Sequence, residues 1–200
     1  MLELSQVDFS KGLVPAVVQD AGTAQVLMLG YMNAEALAAT LDSKHVTFYS
    51  RSKQRLWTKG ESSGHMLELI DAFVDCDGDT ILIHARPKGP TCHTGTTTCF
   101  GDFPGPPATF LGELMRIVAA RHREQPEGSY TTRLFARGVF KIAQKVGEEG
   151  VETALAGVAQ SDEELLGESA DLIFHLLVLL QARGLSLDDV ARVLRGRHRT

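Results

Sequence analysis

The three cysteines of the chain, Cys76, Cys92 and Cys99, all fall within residues 76–99. The first is embedded in Asp75-Cys76-Asp77-Gly78-Asp79. Thiolates suit a soft or borderline ion such as zinc, whereas the carboxylates of Asp75, Asp77 and Asp79 suit a hard ion such as magnesium. Three thiolates with one open coordination position also meet the needs of a hydrolytic zinc site, because the vacant position can hold an activated water. An EF-hand calcium loop is excluded. It needs Gly at its sixth position and a carboxylate at its twelfth, where the chain has Thr80 and Arg86. Taken alone, Asp77-Gly78 between two apolar runs is a hairpin signal in which the aspartates are turn residues.

Two loops add to this chemistry. Gly89-Pro90-Thr91-Cys92-His93-Thr94-Gly95 presents a thiol beside an imidazole. The spacing is not a C-x2-C zinc-finger pair, which disfavours a closed structural site. His93 is read as a general base or a partner of a ligand ahead of a fourth ligand or a plain loop histidine. Upstream, the stretch from Arg51 to His65 is polar, basic and glycine-bearing, and contains Lys59 and the single tryptophan, Trp57. Such a loop either cradles phosphate through backbone N–H groups and cations or is a solvated hairpin loop. Trp57 fits stacking on a base or packing beneath a site.

A separate constellation lies further on. Glu148, Glu149 and Glu152 form E-E-x-x-E, and Glu168 and Asp171 stand at i, i+3 just before Leu172-Ile173-Phe174. On helices these spacings gather carboxylates on one edge. Acid runs on helices are usually solvated faces. Two clusters bordering apolar stretches, however, cost like-charge repulsion unless cations neutralise them, and facing helices carrying such clusters build magnesium sites. Lys141 and Lys145 either pair with Glu149 or contact a polyphosphate.

The elements that must position these groups change character near residue 105. Before it, Val14–Val18, Val26–Leu29, Val46–Tyr49, Leu67–Val74 and Thr80–Ala85 read as strands, with one helix over Ala34–Leu41 capped by Asn33. A proline-rich linker covers about residues 101–108. Beyond it the apolar spacing predicts four helices: from Phe110, from about Arg133 to Val158, from the capping box at Ser161 to near Gly184, and after Ser186. The expected architecture is a sheet-rich α+β domain over 1–104 followed by an all-α bundle over 105–200. A bundle of fewer than a hundred residues is marginal alone, so dimerisation is expected to help bury its apolar faces.

The chain has 200 residues, 44% hydrophobic and 22% charged, as in ordinary globular proteins. Its net charge of −5 gives no basic footprint for nucleic acid. Met1-Leu2-Glu3-Leu4-Ser5 carries no signal-peptide pattern, and the run Leu172–Leu180, interrupted by His175, reads as too short to span a bilayer. An odd cysteine count favours free thiols in a reducing compartment, and the expected location is cytoplasmic.

Residues 57–65, Trp57-Thr58-Lys59-Gly60-Glu61-Ser62-Ser63-Gly64-His65, together with Asp75–Thr80 and Gly89–Gly95, resemble phosphoribosyl-AMP cyclohydrolase of histidine biosynthesis. The similarity covers most of residues 10–104. It implies that Cys76, Cys92 and Cys99 hold zinc, with Cys76 supplied across a homodimer interface, and that Asp75, Asp77 and Asp79 hold magnesium. His93 would manage the proton as hydroxide adds to C6 of the purine, with Trp57 and Lys59 at the substrate. Lys141–Glu152 with Glu168-Ser169-Ala170-Asp171-Leu172 resembles phosphoribosyl-ATP pyrophosphatase, of the all-α MazG-like nucleotide pyrophosphatases, over about residues 109–197. That likeness implies magnesium on Glu148, Glu149, Glu152, Glu168 and Asp171, and a polyphosphate near Lys141 and Lys145. Together the two imply a bifunctional hydrolase acting on consecutive nucleotide substrates. Two other readings compete: a general NTP pyrophosphatase on the same helices, and a structural zinc knuckle joined to a dimerisation module.

Overall fold

In the computed structural model, residues 2–101, 105 and 108–198 are described. The chain forms two compact units, Met1–Phe110 and Leu111–Thr200. Most of the proline-rich linker expected at 101–108 lies outside the described residues.

In the first unit, a 3-10 turn at Leu4–Gln6 precedes β1 (Val14–Asp20), β2 (Val26–Met32), α1 (Ala34–Ser43), β3 (Thr47–Ser50), β4 (Arg55–Thr58), β5 (Leu67–Val74) and β6 (Ile81–Pro87). The strands form a four-stranded sheet in the order β2-β1-β6-β5 and a separate pair, β3-β4. β1 and β6 run parallel and the other pairings are antiparallel. Alternation along β1 and β6 sends Ala16, Val18, Ile81, Ile83 and Ala85 into one core with Leu27, Met32, Leu37, Val46 and Phe48. Asn33 caps α1, its side chain accepting from the Ala36 N–H at 2.9 Å. The Asp77-Gly78 hairpin is present, with Gly78 at φ +80° joining β5 to β6.

β4 is an addition to the sequence reading, which placed Arg55–Thr58 in a polar loop. Its alternation is hidden because the pairing partner supplies the apolar surface. Trp57 lies opposite Phe48 in the ladder, with ring centroids 5.7 Å apart.

The second unit contains α2 (Thr109–Glu124), α3 (Tyr130–Ala136), α4 (Gly138–Ala159), α5 (Asp162–Ala182) and α6 (Leu187–Arg197). The helix expected from Arg133 to Val158 is therefore two helices. The break falls at Arg137-Gly138, where Gly138 takes φ +80°, a value open to glycine and strained for other residues. Ser161 and Glu164 form the capping box that starts α5, and Ser186 with Asp189 starts α6 in the same way. Val118, Leu134, Ile142 and Val178 make the core of this unit.

The sequence run Leu172–Leu180 is part of a longer helix. α5, at 21 residues, is long and apolar enough by length and composition to cross a membrane. Glu168, Asp171 and His175 lie along it, and ionisable groups in hydrocarbon are costly. In the fold Glu168 meets other carboxylates, while His175, Leu177 and Val178 are buried.

Candidate active sites

The first site is assembled by loops at the ends of β4, β5 and β6. Trp57, Lys59, Gly60, Ser62, Ser63, His65, Pro90, Cys92, His93 and Gly95 line one cavity of about 300 Å³. The loops at 57–65 and 89–95, more than twenty residues apart in sequence, thus face the same space. Two glycines allow it. A Cβ on Gly60 would stand 2.5 Å from the backbone of His65, and one on Gly89 would stand 2.8 Å from the His65 ring. Both have positive φ, so backbone and packing demand glycine together. His65 is the wall that both loops close against; the tight approach of the two glycines is the sequence signal for it.

Cys92 is one of the residues that line this cavity. Thr94 Oγ1 donates to its sulfur at 3.1 Å, and His93 Nδ1 lies 3.8 Å away. Hydrogen bonds from the Thr94 hydroxyl and backbone, then from Thr96, bring its thiol down to about 6, so it is largely thiolate at neutral pH. Cys99 is coupled to it. Partial burial of the Cys99 sulfur and the neighbouring Cys92 charge push its pKa up, while Lys59, itself buried, opposes the shift. Two interacting thiols fit a soft divalent cation. Cys76 is exposed, and among the described residues no convergent group of three metal donors includes a cysteine. One chain therefore does not bring the predicted thiol triad together.

Asp75, Asp77 and Asp79 do converge, each offering an oxygen within 4.8 Å of the others. The turn itself orders them: Asp75 Oδ1 accepts from the N–H groups of Asp79 at 3.1 Å and Thr80 at 3.0 Å. Partial burial works to raise the Asp75 pKa, but these hydrogen bonds outweigh it and leave it lowered. An all-oxygen set on a tight turn fits a hard cation.

The second site lies on α4 and α5. Glu149, Glu152 and Glu168 bring donor oxygens within 4.8 Å of one another, and Glu149 is buried. Burial, then the charges of Glu149 and Glu168, push the Glu152 carboxyl up, as expected for a crowded acid cluster without a cation. A divalent ion relieves that crowding, so these residues fit one. Of the five predicted carboxylates, Glu148 and Asp171 stand outside the cluster. Glu148 pairs with Lys145 at 3.0 Å and accepts from Gln144 at 2.5 Å, and these contacts hold its pKa down. The Asp171 carbonyl accepts from His175 Nδ1 at 2.9 Å.

Lys145 also pairs with Glu149 at 2.5 Å, and Glu149 and Glu148 together push the lysine pKa well up. The pairing alternative for this lysine is realised. Lys145 also lines a cavity with Lys141, so the polyphosphate alternative retains its geometry. Tyr130, Arg133 and Arg137 line that same cavity and were not singled out in the sequence. Their signal is the spacing Arg133, Arg137, Lys141, Lys145, one cation every fourth residue.

These are two separate metal-site geometries, one on a sheet-rich unit and one on helices, and comparison with known proteins gives each a family. The family described as phosphoribosyl-AMP cyclohydrolase matches residues 28–101, and that described as phosphoribosyl-ATP pyrophosphohydrolase matches residues 111–198. The chain is thus a fusion of two hydrolase domains. It is 63% identical over 198 residues to the histidine biosynthesis bifunctional protein HisIE of Xylella fastidiosa (strain Temecula1 / ATCC 700964), covering 98% of this chain and 95% of that protein. The protein of the same name from Xanthomonas axonopodis pv. citri (strain 306) is 62% identical, covering 98% and 94%. That from Vibrio cholerae serotype O1 is 57% identical, covering 97% and 94%. The chain belongs to this family of bifunctional histidine-biosynthesis proteins.

Proposed function

We propose that the helical unit hydrolyses phosphoribosyl-ATP to phosphoribosyl-AMP and pyrophosphate, and that the N-terminal unit then opens the purine six-membered ring of phosphoribosyl-AMP. The observation that carries this reading is the convergence, within one chain, of two different donor sets, each inside the span of its own family match. We assign residues 1–104 to ring opening and 105–200 to pyrophosphate release.

In the N-terminal unit Cys92 and Cys99 are the zinc ligands that one chain presents, and Cys76 of a second copy completes the set. Zinc, when bound, lowers the pKa of a coordinated water to roughly 7, near working pH. His93, beside Cys92, receives and returns the proton as C6 is attacked. Trp57 and Lys59 hold the base and a phosphate within the cavity they line, and Asp75, Asp77 and Asp79 hold magnesium. In the helical unit Glu149, Glu152 and Glu168 are the inner magnesium ligands, with Glu148 and Asp171 at the margin. Magnesium held there would supply electrostatic stabilisation of the charge on the departing pyrophosphate, while Lys141 and Lys145 orient the polyphosphate.

A homodimer is the working unit of this reading. Phe140 (95% exposed), Val151 (61%), Leu155 (58%) and Val158 (87%) on α4, and Leu166 (71%) on α5, leave an apolar surface that a second copy would cover. We place the protein in the cytoplasm, a reducing compartment in which free thiols such as these three persist.

The test follows phosphoribosyl-ATP through both products with zinc and magnesium supplied. Wild type yields the ring-opened product. Cys92→Ser stops at phosphoribosyl-AMP, and Glu149→Ala lowers phosphoribosyl-AMP formation by two orders of magnitude or more, roughly the effect of losing a main transition-state contact. Absence of both products from wild type sinks the reading. Full pyrophosphatase activity in Glu149→Ala would show the helical site to be misassigned. Equal turnover of dNTPs would favour a general nucleotide pyrophosphatase, and unfolding of Cys92→Ser would favour a structural zinc knuckle.

A further inference from the structure

The cavity along α3 and the first turns of α4 has a volume of about 220 Å³ and is lined by Tyr130, Arg133, Leu134, Arg137, Lys141 and Lys145. That is below the roughly 300–1,000 Å³ of pockets that enclose a whole drug-sized ligand, so it suits one part of a nucleotide. Four of its six lining residues are cations. The chain as a whole carries 25 acidic and 20 basic residues, so this concentration runs against its overall balance.

Among the described residues, Lys145 is the one of the four cations that has a carboxylate partner. Lys145 pairs with Glu148 and Glu149 and so makes the wall shared with the carboxylate cluster. Arg133 Nη1 donates to the Gly128 carbonyl at 2.9 Å, and Lys141 Nζ donates to Gln144 Oε1 at 3.1 Å. Among the described residues neither of these, nor Arg137, has a carboxylate within ion-pair distance. Three such cations around one concavity repel one another unless an anion joins them.

The opposite wall is fixed from beneath. His175 is 4% exposed and its Nδ1 is held by the Asp171 carbonyl, which leaves Nε2 as the acceptor for the Tyr130 hydroxyl at 3.0 Å. His175 Nδ1 also lies 3.7 Å from Glu149 Oε1, so the tyrosine wall and the carboxylate cluster rest on one buried ring.

We propose that this cavity seats the β- and γ-phosphates of the substrate, the part released as pyrophosphate, with Arg133, Arg137 and Lys141 as its anion ligands. The proposal rests on the pyrophosphatase reading and adds residues and a polarity to it. Charge decides which phosphate sits here. A phosphomonoester such as the ribosyl 5′-phosphate carries about −1.5 to −2 near pH 7 and is matched by two cations. Three unneutralised cations with Lys145 beside them match a pyrophosphate group and its rising charge. Hydrolysis consumes one water, breaks one P–O bond of the α–β anhydride and leaves phosphoribosyl-AMP and pyrophosphate, the water's protons going to the new termini and to solvent. Triphosphate orientation follows: the α–β bond lies at the carboxylates and the tail points along α4 toward its first residues.

The test is calorimetric binding of inorganic pyrophosphate with magnesium, and separately of ribose 5-phosphate, to the full chain. Arg133→Ala, Arg137→Ala and Lys141→Ala are compared with wild type and with Arg137→Lys. Each alanine variant is expected to weaken pyrophosphate binding about ten- to a hundredfold, the loss of one charge-assisted hydrogen bond. Ribose 5-phosphate binding stays unchanged, Arg137→Lys recovers part of the loss, and the thermal midpoints match wild type. Weakened ribose 5-phosphate binding with intact pyrophosphate binding would place the ribosyl end here and overturn the proposal. So would unchanged binding of both. Failure of wild type to hydrolyse phosphoribosyl-ATP sinks the pyrophosphatase reading and leaves this binding comparison to be decided by itself.

Discussion

Cys92 is the side chain whose chemistry its surroundings have changed most plainly. Three hydrogen-bonding groups from Thr94 and Thr96 act on one sulfur, and its thiol falls to about 6 from an ordinary 9.0. The sign is fixed by the stabilised form: donors to sulfur favour thiolate, so the reactive form is already present below pH 7. In metal-stripped protein, iodoacetamide is therefore expected to alkylate Cys92 with a rate that climbs through a midpoint near pH 6. Cys99, pushed up instead, should react only at alkaline pH. Peptide mass spectrometry across a pH series reads this, and equal profiles for the two would contradict the assignment. At this scale the sequence showed which residue types matter and blurred which of them meet. Asp75, Asp77 and Asp79 follow from their turn. Glu148, by contrast, satisfies the same helical spacing as Glu149 yet turns its carboxylate to Lys145 and Gln144, and Asp171 does not join the group formed by Glu149, Glu152 and Glu168. Spacing defines a helix edge, but packing between α4 and α5 selects among the residues on it.

The elements show the same division. Asn33, Ser161 and Ser186 were legible as helix starts because a cap is a local transaction between a side chain and N–H groups two or three residues on. β5 emerged with its expected bounds because turn residues bracket its apolar run, even though an irregularity between Leu69 and Asp71 breaks its alternation. β4 was missed because its apolar partner, Phe48, lies on another strand. The α3–α4 break was missed because helical apolar spacing runs across it, and only the positive φ of Gly138 marks the stop. Gly138→Ala tests the break. A Cβ there meets nothing within 4 Å, so its cost is that of the backbone alone, roughly 1 kcal/mol. Urea unfolding should show a loss of that size. A stabilised variant would mean that the break is optional and that one continuous helix is accessible.

For the whole molecule, the thiols raise the question of how many chains a site needs. Cys92 and Cys99 interact within one chain, and Cys76 does not join them. If a second copy completes the set, Cys76→Ser and Cys92→Ser break different contributions to the same site. Each variant alone should lack ring opening. Co-expressed, half of the dimers are mixed and each of these has one intact site of two, so activity should return to roughly one quarter of wild type. Purification through two different tags isolates the mixed species, and continued inactivity there would exclude a site shared between chains. The pyrophosphatase step, built on other residues, should be unaffected throughout.

The turn Asp75–Asp79 interleaves a thiol with three carboxylates in five consecutive residues. Hard and soft donors that alternate along one short piece of backbone cannot be organised independently. Fixing the carboxylates around one ion also fixes the direction in which Cys76 is offered, and the converse holds by thermodynamic reciprocity. On the proposed assignment of magnesium to the carboxylates and zinc to the thiols, the two metals are mutual effectors. Raising magnesium should tighten zinc retention by about fivefold or more, and zinc should tighten magnesium by the same factor. Competition with a zinc chelator at stepped magnesium concentrations measures the factor directly, and Asp77→Asn should bring it close to one. If that factor is found, a single hairpin makes the magnesium supply of the cell a control on how long the enzyme keeps its zinc.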